Sequence, residues 1–303
     1  MPGGFAHLTA IGELRSRLDE LDMPGGAKFA VAQNLRFCEL GAVSPDYPYL
    51  APIGSSKDWA DRMHYVRTGG VIRAAARRVR DLAPARRPAA LAWLLGYTSH
   101  VALDLSIHPV VERRVGPYQG NETAHRDCEM HQDVHVFQRV NLGGLGPAAF
   151  VRTGIAWCDD SGHMDAVTEV FEGALADTHP DLYAQSPPNV ALWHQGYTRI
   201  VDVVDSAIRY VPFARHLLDG HAVFYPALKD LNRSYIDDLD TPYGRQGYDA
   251  VFDWAIGNVG RWWEAVAQGV YDDPAALDAI VDANLDTGRL DGAYVFWTEP
   301  AIA

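Results

Sequence analysis

Thiols are scarce in this chain of 303 residues: Cys38, Cys128 and Cys158 lie far apart and form no CxxC pair. That spacing argues against a disulfide framework and against a thiolate zinc site, and buried free thiols are the expectation. Any metal chemistry must then rest on His, Asp and Glu. Long apolar runs are also missing. No stretch reaches the roughly 20 apolar residues of a membrane-spanning helix. Glu13, Asp19 and Glu20 interrupt the N-terminus early, and no basic segment followed by an apolar run marks a secretion signal. A soluble, cytoplasmic protein is therefore expected. Positive charge is in deficit: 26 Lys and Arg stand against 39 Asp and Glu, a formal net charge of −13. This excess argues against general nucleic-acid binding and against attraction to an anionic membrane. An anionic substrate stays open, because bound divalent cations would reverse the local sign. There is no P-loop and no GxSxG, and the glycine-rich NLGGLGP at 141–147 follows a helix without being a GxGxxG.

What the chain does contain is helical periodicity, with few runs of alternating β-branched residues. Helices are predicted over 26–40, 58–82, 88–107, 121–140, 161–177, 189–210, 246–268 and 274–285. Pro88, Asn121 and Ser161 supply start signals for three of them. Residues 41–56, with three prolines, read as a long irregular loop, and 141–148 and 178–189 are also loop-like. The fold class is all-α, a single large multi-helix bundle. Residues 1–225 are expected to form the helical catalytic domain, and 226–303, rich in Trp and Tyr, a C-terminal helical extension packed on it.

The densest chemistry lies between residues 100 and 135. His100, Asp104 and His108 sit at i, i+4 and i+8, so they share one side of a helix. A turn through Gly116, Pro117 and Gly120 leads to a second helix with His125 and Glu129 again four apart. Two facing helices that each present His and carboxylate make a natural metal site with nitrogen and oxygen ligands. On the second helix His125, Glu129 and Asp133 share one face, while Asp127, His131 and His135 share another. Asp133 is expected as a ligand or as an acceptor for a ligand histidine, and His131 and His135 as ordinary polar residues.

Outside this cluster, Asp46 is held in SPDYPY by Pro45 and Pro48, which suits a ligand more than a simple turn residue. His64 opens onto Trp59 and Tyr65, and His7 stands alone near the start. The arginines from Arg67 to Arg87 read as a solvated helix face, with a phosphate contact as the lesser alternative. His163, His179, His194, His216 and His221 receive no role.

The ordered set His7, GAVSPDYPYL with Asp46, His64, GYTSHVALDLSIHP and HRDCE resembles the zinc-dependent phospholipase C family, in a bacterial cytoplasmic form. Relatives of that family include the single-strand nucleases of fungi and plants. The resemblance covers about residues 1–135. It implies an all-helical domain with two or three Zn2+ ions, other divalent metals being possible, that hydrolyses phosphodiesters or phosphomonoesters. By that likeness Asp46, His64, His100 and Asp104 hold one zinc, His108, His125 and Glu129 a second, and His7 with Asp104 contributes to a third. Asp46 also carries the catalytic assignment, orienting or deprotonating the attacking water. Secreted members give a processed N-terminal tryptophan to the third metal, whereas this chain begins Met1-Pro2-Gly3-Gly4-Phe5. A two-metal centre with His7 peripheral is therefore an equal alternative.

Other function classes fit the same residues. A metal hydrolase of a small ester or amide in secondary metabolism would use the same activated water. A helical iron or manganese redox protein would favour paired Glu and repeated ExxH motifs, whereas this chain shows His-first pairs at i, i+4 and a single ExxH, from Glu122 to His125. A metal that only staples the fold would have a closed set of ligands.

Overall fold

The computed structural model describes residues 4–50, 56–140, 158–159, 161–206 and 226–298. Among these residues the chain is all-α with two small hairpins. In order the helices are α1 (Gly4–Ser16), α2 (Gly25–Gln33), α3 (Leu35–Val43), α4 (Tyr47–Leu50), α5 (Ser56–Tyr65), α6 (Thr68–Asp81), α7 (Arg87–Val115), α8 (Glu122–Phe137), α9 (Met164–Thr178), α10 (Pro180–Gln185), α11 (Val190–Ser206) and α12 (Tyr248–Tyr271). The antiparallel hairpins are β1 (Leu239–Thr241) with β2 (Gly244–Gln246), and β3 (Arg289–Leu290) with β4 (Ala293–Tyr294). Among the described residues no helix is long and apolar enough to cross a membrane.

α7 is the axis of the bundle. Its 29 residues run about 43 Å at 1.5 Å per residue, and every residue from Ala89 to Val111 is buried. A helix can be immersed this way only if its polar side chains find partners. Thr98, Ser99 and Ser106 do so by donating to the carbonyls of Leu94, Leu95 and Ala102 one turn back. Around it pack α2, α3, α6, α8, α9 and α12. The tightest crossing is with α3. A methyl group placed on Gly96 would overlap the Cys38 carbonyl, and one on Gly41 would overlap the Trp93 carbonyl. The two glycines thus let the backbones touch. From the C-terminal side, Trp263 Nε1 donates to Leu95 O and Ser99 Oγ, and Trp297 Nε1 donates to Ser106 O. The residues expected as an extension are therefore wired into the same core.

Several boundaries differ from the periodicity reading, each for a local reason. The expected 26–40 helix breaks at Asn34, whose backbone leaves the helical region and whose amide donates to Ala30 O. The 58–82 helix breaks at Arg67, which adopts a left-handed conformation (φ 51°). α7 runs past 107 through Pro109 to Val115. The region 274–285 is a 3-10 stretch, Pro274–Ala279, followed by extended chain, because Asp273 and Pro274 cap only a short turn. Residues 41–50 are far more regular than their prolines suggest: α3 reaches Val43, then a 3-10 turn (Ser44–Asp46) leads into α4, while 51–55 lie outside the described residues. α1, α10 and both hairpins were not foreseen. The segment 141–148 and residues 207–210 lie outside the described residues.

Candidate metal centre

Each candidate ligand is delivered by a different piece of this architecture. His7 comes from the second turn of α1, Asp46 from the end of the 3-10 turn, His64 from the last turn of α5, and His100, Asp104 and His108 from the middle of α7. His125 and Glu129 come from α8. All eight are buried, and five of them, His7, Asp46, His64, His100 and Asp104, fall into two groups that share His100.

Asp104 stands at the centre. Its Oδ1 lies 3.4 Å from His7 Nε2 and its Oδ2 lies 3.4 Å from His100 Nε2, so its two oxygens face different histidines. His64 Nε2 is 3.4 Å from Asp46 Oδ1. The rings of His7 and His100 stack with centroids 4.2 Å apart, and His64 meets His100 edge-on at 5.7 Å. Ligand atoms of His7, His100 and Asp104 lie within 4.8 Å of one another, as do those of Asp46, His64 and His100. One helix turn on, Glu129 Oε1 lies 3.8 Å from His108 Nε2 and 3.9 Å from His125 Nδ1. Two donors at about 2.0–2.1 Å from one tetrahedral ion are separated by about 3.3–3.4 Å, so the closest of these spacings are what a shared cation requires.

The remaining ring nitrogens are fixed by backbone carbonyls. Nδ1–H of His64, His100 and His108 donates to Ala60 O (2.7 Å), Ala42 O (2.8 Å) and Leu285 O (2.6 Å), so each turns Nε2 inward. His125 is reversed: Nε2–H donates to Gly116 O at 2.6 Å and Nδ1 faces Glu129. Such orienting bonds select the tautomer that leaves a lone pair for a metal. Meanwhile His100 Nε2, both nitrogens of His7, Asp46 Oδ1 and both oxygens of Asp104 have no hydrogen-bond partner among the described residues. Buried polar atoms left this way are costly. A cation would satisfy them together, and nitrogen and carboxylate donors without thiolates suit zinc.

Electrostatics agree. Burial pushes His7 down to about 3 and His100 down to about 4, so both are neutral donors at physiological pH. Burial also lowers His125 and raises the Asp104 carboxyl to about 6. Burial opposes ionisation of Asp46 as well, but the neighbouring histidines, His64 at 3.4 Å foremost, outweigh it and hold Asp46 at about 2. The sign for metal uptake follows. Only Asp104 in the His7, His100 and Asp104 group takes up a proton between pH 7 and 5, and a cation must displace it. Zinc affinity at that group is expected to be nearly flat above pH 6.5 and to fall about tenfold per pH unit below 6. Chelator-buffered zinc titrations from pH 7.5 to 5 check this; a dependence of two protons or more above pH 6.5 contradicts it.

Asp133 bonds to the main chain of α1. Its oxygens accept the N–H groups of Phe5 (3.2 Å) and Ala6 (2.8 Å), so it caps the start of α1 and seats His7. His131 Nδ1 accepts the Asn232 N–H, and His135 pairs with Asp249. The aromatic residues expected as walls divide. Tyr49 and Tyr65 flank His64 with centroids 5.7 and 6.2 Å away, Tyr47 turns to Tyr197 and His194, and Trp59 donates to Ser186 O. Three arginines of the run are engaged with acids: Arg73 with Asp282, Arg78 with Asp177, and Arg86 with Asp165 and Glu169. The carbonyls of Ala42, Ala60, Gly116 and Leu285 could not be read from side-chain spacing, since a main-chain acceptor leaves no sequence signature. Pairing of His194 with Asp159 at 2.8 Å was likewise unforeseen.

In comparison with known proteins, the model of the family described as zinc dependent phospholipase C matches residues 6–186. No curated protein and no solved structure matches the chain.

Proposed function

The chain belongs to the zinc-dependent phospholipase C family, and from that premise we propose that it is a zinc-dependent hydrolase that cleaves phosphoester bonds. The proposed ligands are Asp46, His64, His100 and Asp104 for one ion, His108, His125 and Glu129 for a second, and His7 with Asp104 for a third. The reading is supported above all by Asp104, whose oxygens face two different histidines at 3.4 Å, as a carboxylate bridging two ions would.

When bound, zinc lowers the pKa of a coordinated water towards 7 and offsets charge on the phosphoryl oxygens. The residues supply the rest. Carbonyl-bonded histidines hold their inward nitrogens in fixed directions, so little reorganisation accompanies the reaction. Asp46, held ionised, accepts a hydrogen bond from the attacking water and orients it; a carboxylate this acidic is better suited to orientation than to proton uptake. Burial of every ligand keeps bulk water away and strengthens each charge interaction. A small phosphoester is the proposed substrate class, with no nucleic-acid partner.

Hydrolysis of bis-p-nitrophenyl phosphate beside p-nitrophenyl acetate tests the proposal. Phosphodiester turnover is expected to fall about a hundredfold or more on chelation and to return with zinc. Zinc-dependent turnover of the acetate alone would favour the carbonyl-ester reading. Zinc bound with neither substrate turned over would favour a structural metal.

A further inference from the structure

The family match ends at residue 186, yet residues 280–286 reach the candidate centre. Leu285, fully buried, makes two backbone bonds there: its carbonyl accepts from His108 Nδ1 (2.6 Å), and its N–H donates to the main-chain carbonyl of His64 (3.0 Å). The second bond is made to a carbonyl in the last turn of α5, where helix carbonyls point past the helix end. One residue therefore touches two candidate ligands carried by different helices.

The preceding residues stitch this segment to α6. Thr68 Oγ1 both donates to Ala283 O and accepts from Ala283 N–H, each at 2.9 Å. Asp282 accepts the Gly70 N–H at 2.7 Å and pairs with Arg73, which also donates to Ile280 O. Beyond Leu285, Asn284 Oδ1 accepts the N–H groups of Asp286 and Thr287, closing a turn. Gly288 at φ 64° sets that turn against α7, where an added Cβ would press on Leu105 O and Pro109. Leu105 O is the carbonyl that Pro109, lacking an N–H, leaves unbonded in its helix.

We infer that residues 280–286 are a positioning strap for His64 and His108, so that metal loading at these histidines and docking of the strap are one coupled equilibrium. Coupling of this kind is reciprocal: the strap tightens metal binding, and metal tightens the strap. The inference rests on the metal-centre reading above, but not on which bond is hydrolysed.

Zinc affinity by chelator competition and amide exchange on the full chain test it. Removing zinc is expected to speed exchange at the Ala283 and Leu285 amides about tenfold while leaving the middle of α12 unchanged. Thr68→Val, which takes away both bonds to Ala283, is expected to weaken zinc binding about tenfold, the lower range for losing an orienting partner. Thr178→Val, which removes a buried hydroxyl that bonds within its own helix, to Ala174 O, should leave zinc affinity within about twofold. If Thr68→Val does not fold, Asp282→Asn loosens the exposed end of the same strap, with a smaller loss expected. Unchanged exchange on chelation, or wild-type zinc affinity in a variant whose strap exchanges faster, overturns the inference. A wild-type chain that binds no zinc overturns the metal reading instead, so the two failures are distinct.

Discussion

Asp104→Ala is expected to lose at least one metal ion and about a thousandfold or more of the proposed phosphodiesterase activity, since the carboxylate proposed to bridge two ions is removed. Asp104→Asn sharpens the test, because it keeps the shape and removes only the charge. In the metal-free protein that charge is a liability. Burial raises the carboxyl from its ordinary 3.8 to about 6, so the folded state binds the proton more tightly than the unfolded state does. The penalty is absent below pH 3.8, grows between 3.8 and 6, and is fully present above 6. Stripped of metal, Asp104→Asn should therefore melt several degrees above wild type at pH 7.5, with the difference shrinking towards pH 4. With zinc restored the order should invert, because wild type gains the binding free energy and the variant gains less of it. Thermal melts with and without chelator at the two pH values decide the matter. A variant that keeps its zinc and its activity would remove Asp104 from the centre.

The helical class and the grouping on α7 and α8 were legible because both depend on the same 3.6-residue period. His100, Asp104 and His108 fall on one side of a helix whatever surrounds it, and His125 with Glu129 follows the same rule. Asp133 shows where that reasoning stops. The period put it on the right face, but only the tertiary arrangement reveals that the start of α1 lies opposite and takes both of its oxygens. The loop expected from residue 41 failed over residues 41–50 for the converse reason. Pro45 and Pro48 looked like breaks, yet Pro45 sits at the first turn of a 3-10 element and Pro48 at the first turn of α4, where a missing N–H costs nothing. The break at Arg67 had no signal, since a left-handed arginine is disfavoured in itself and is held by its contacts, among them its bond to Thr178 O. Nor could spacing show that Ala42 and Leu285 orient histidines 58 and 177 residues away in sequence.

The Ala42 carbonyl reaches His100 because α3 lies against α7 with no side chain between their backbones, and Gly96 together with Gly41 allows it. Gly96→Ala is the second substitution with a large expected effect. In an exposed helix the change would stabilise by about 1 kcal/mol. Here the new methyl meets the Cys38 carbonyl, a backbone atom that no rotamer change can move aside. Overpacking of this kind costs about 3 kcal/mol, at the upper end of its usual range, so the net loss is about 2 kcal/mol. That corresponds to a melting point lower by about 4–8 °C. The functional effect is separable from the loss of stability. Relief of the clash pushes α3 outward and takes Ala42 O from His100 Nδ1, which frees the ring to turn Nε2 away from Asp104 and Asp46. Zinc affinity should then fall about tenfold or more even at temperatures where the variant is fully folded. Gly257→Ala on α12 is the matched control: nothing lies within 4 Å of its added Cβ, so it should keep its zinc and melt slightly higher. If Gly96→Ala bound zinc as tightly as Gly257→Ala, close helix contact would not be what aims His100, and the orienting role of the Ala42 carbonyl would have to be abandoned.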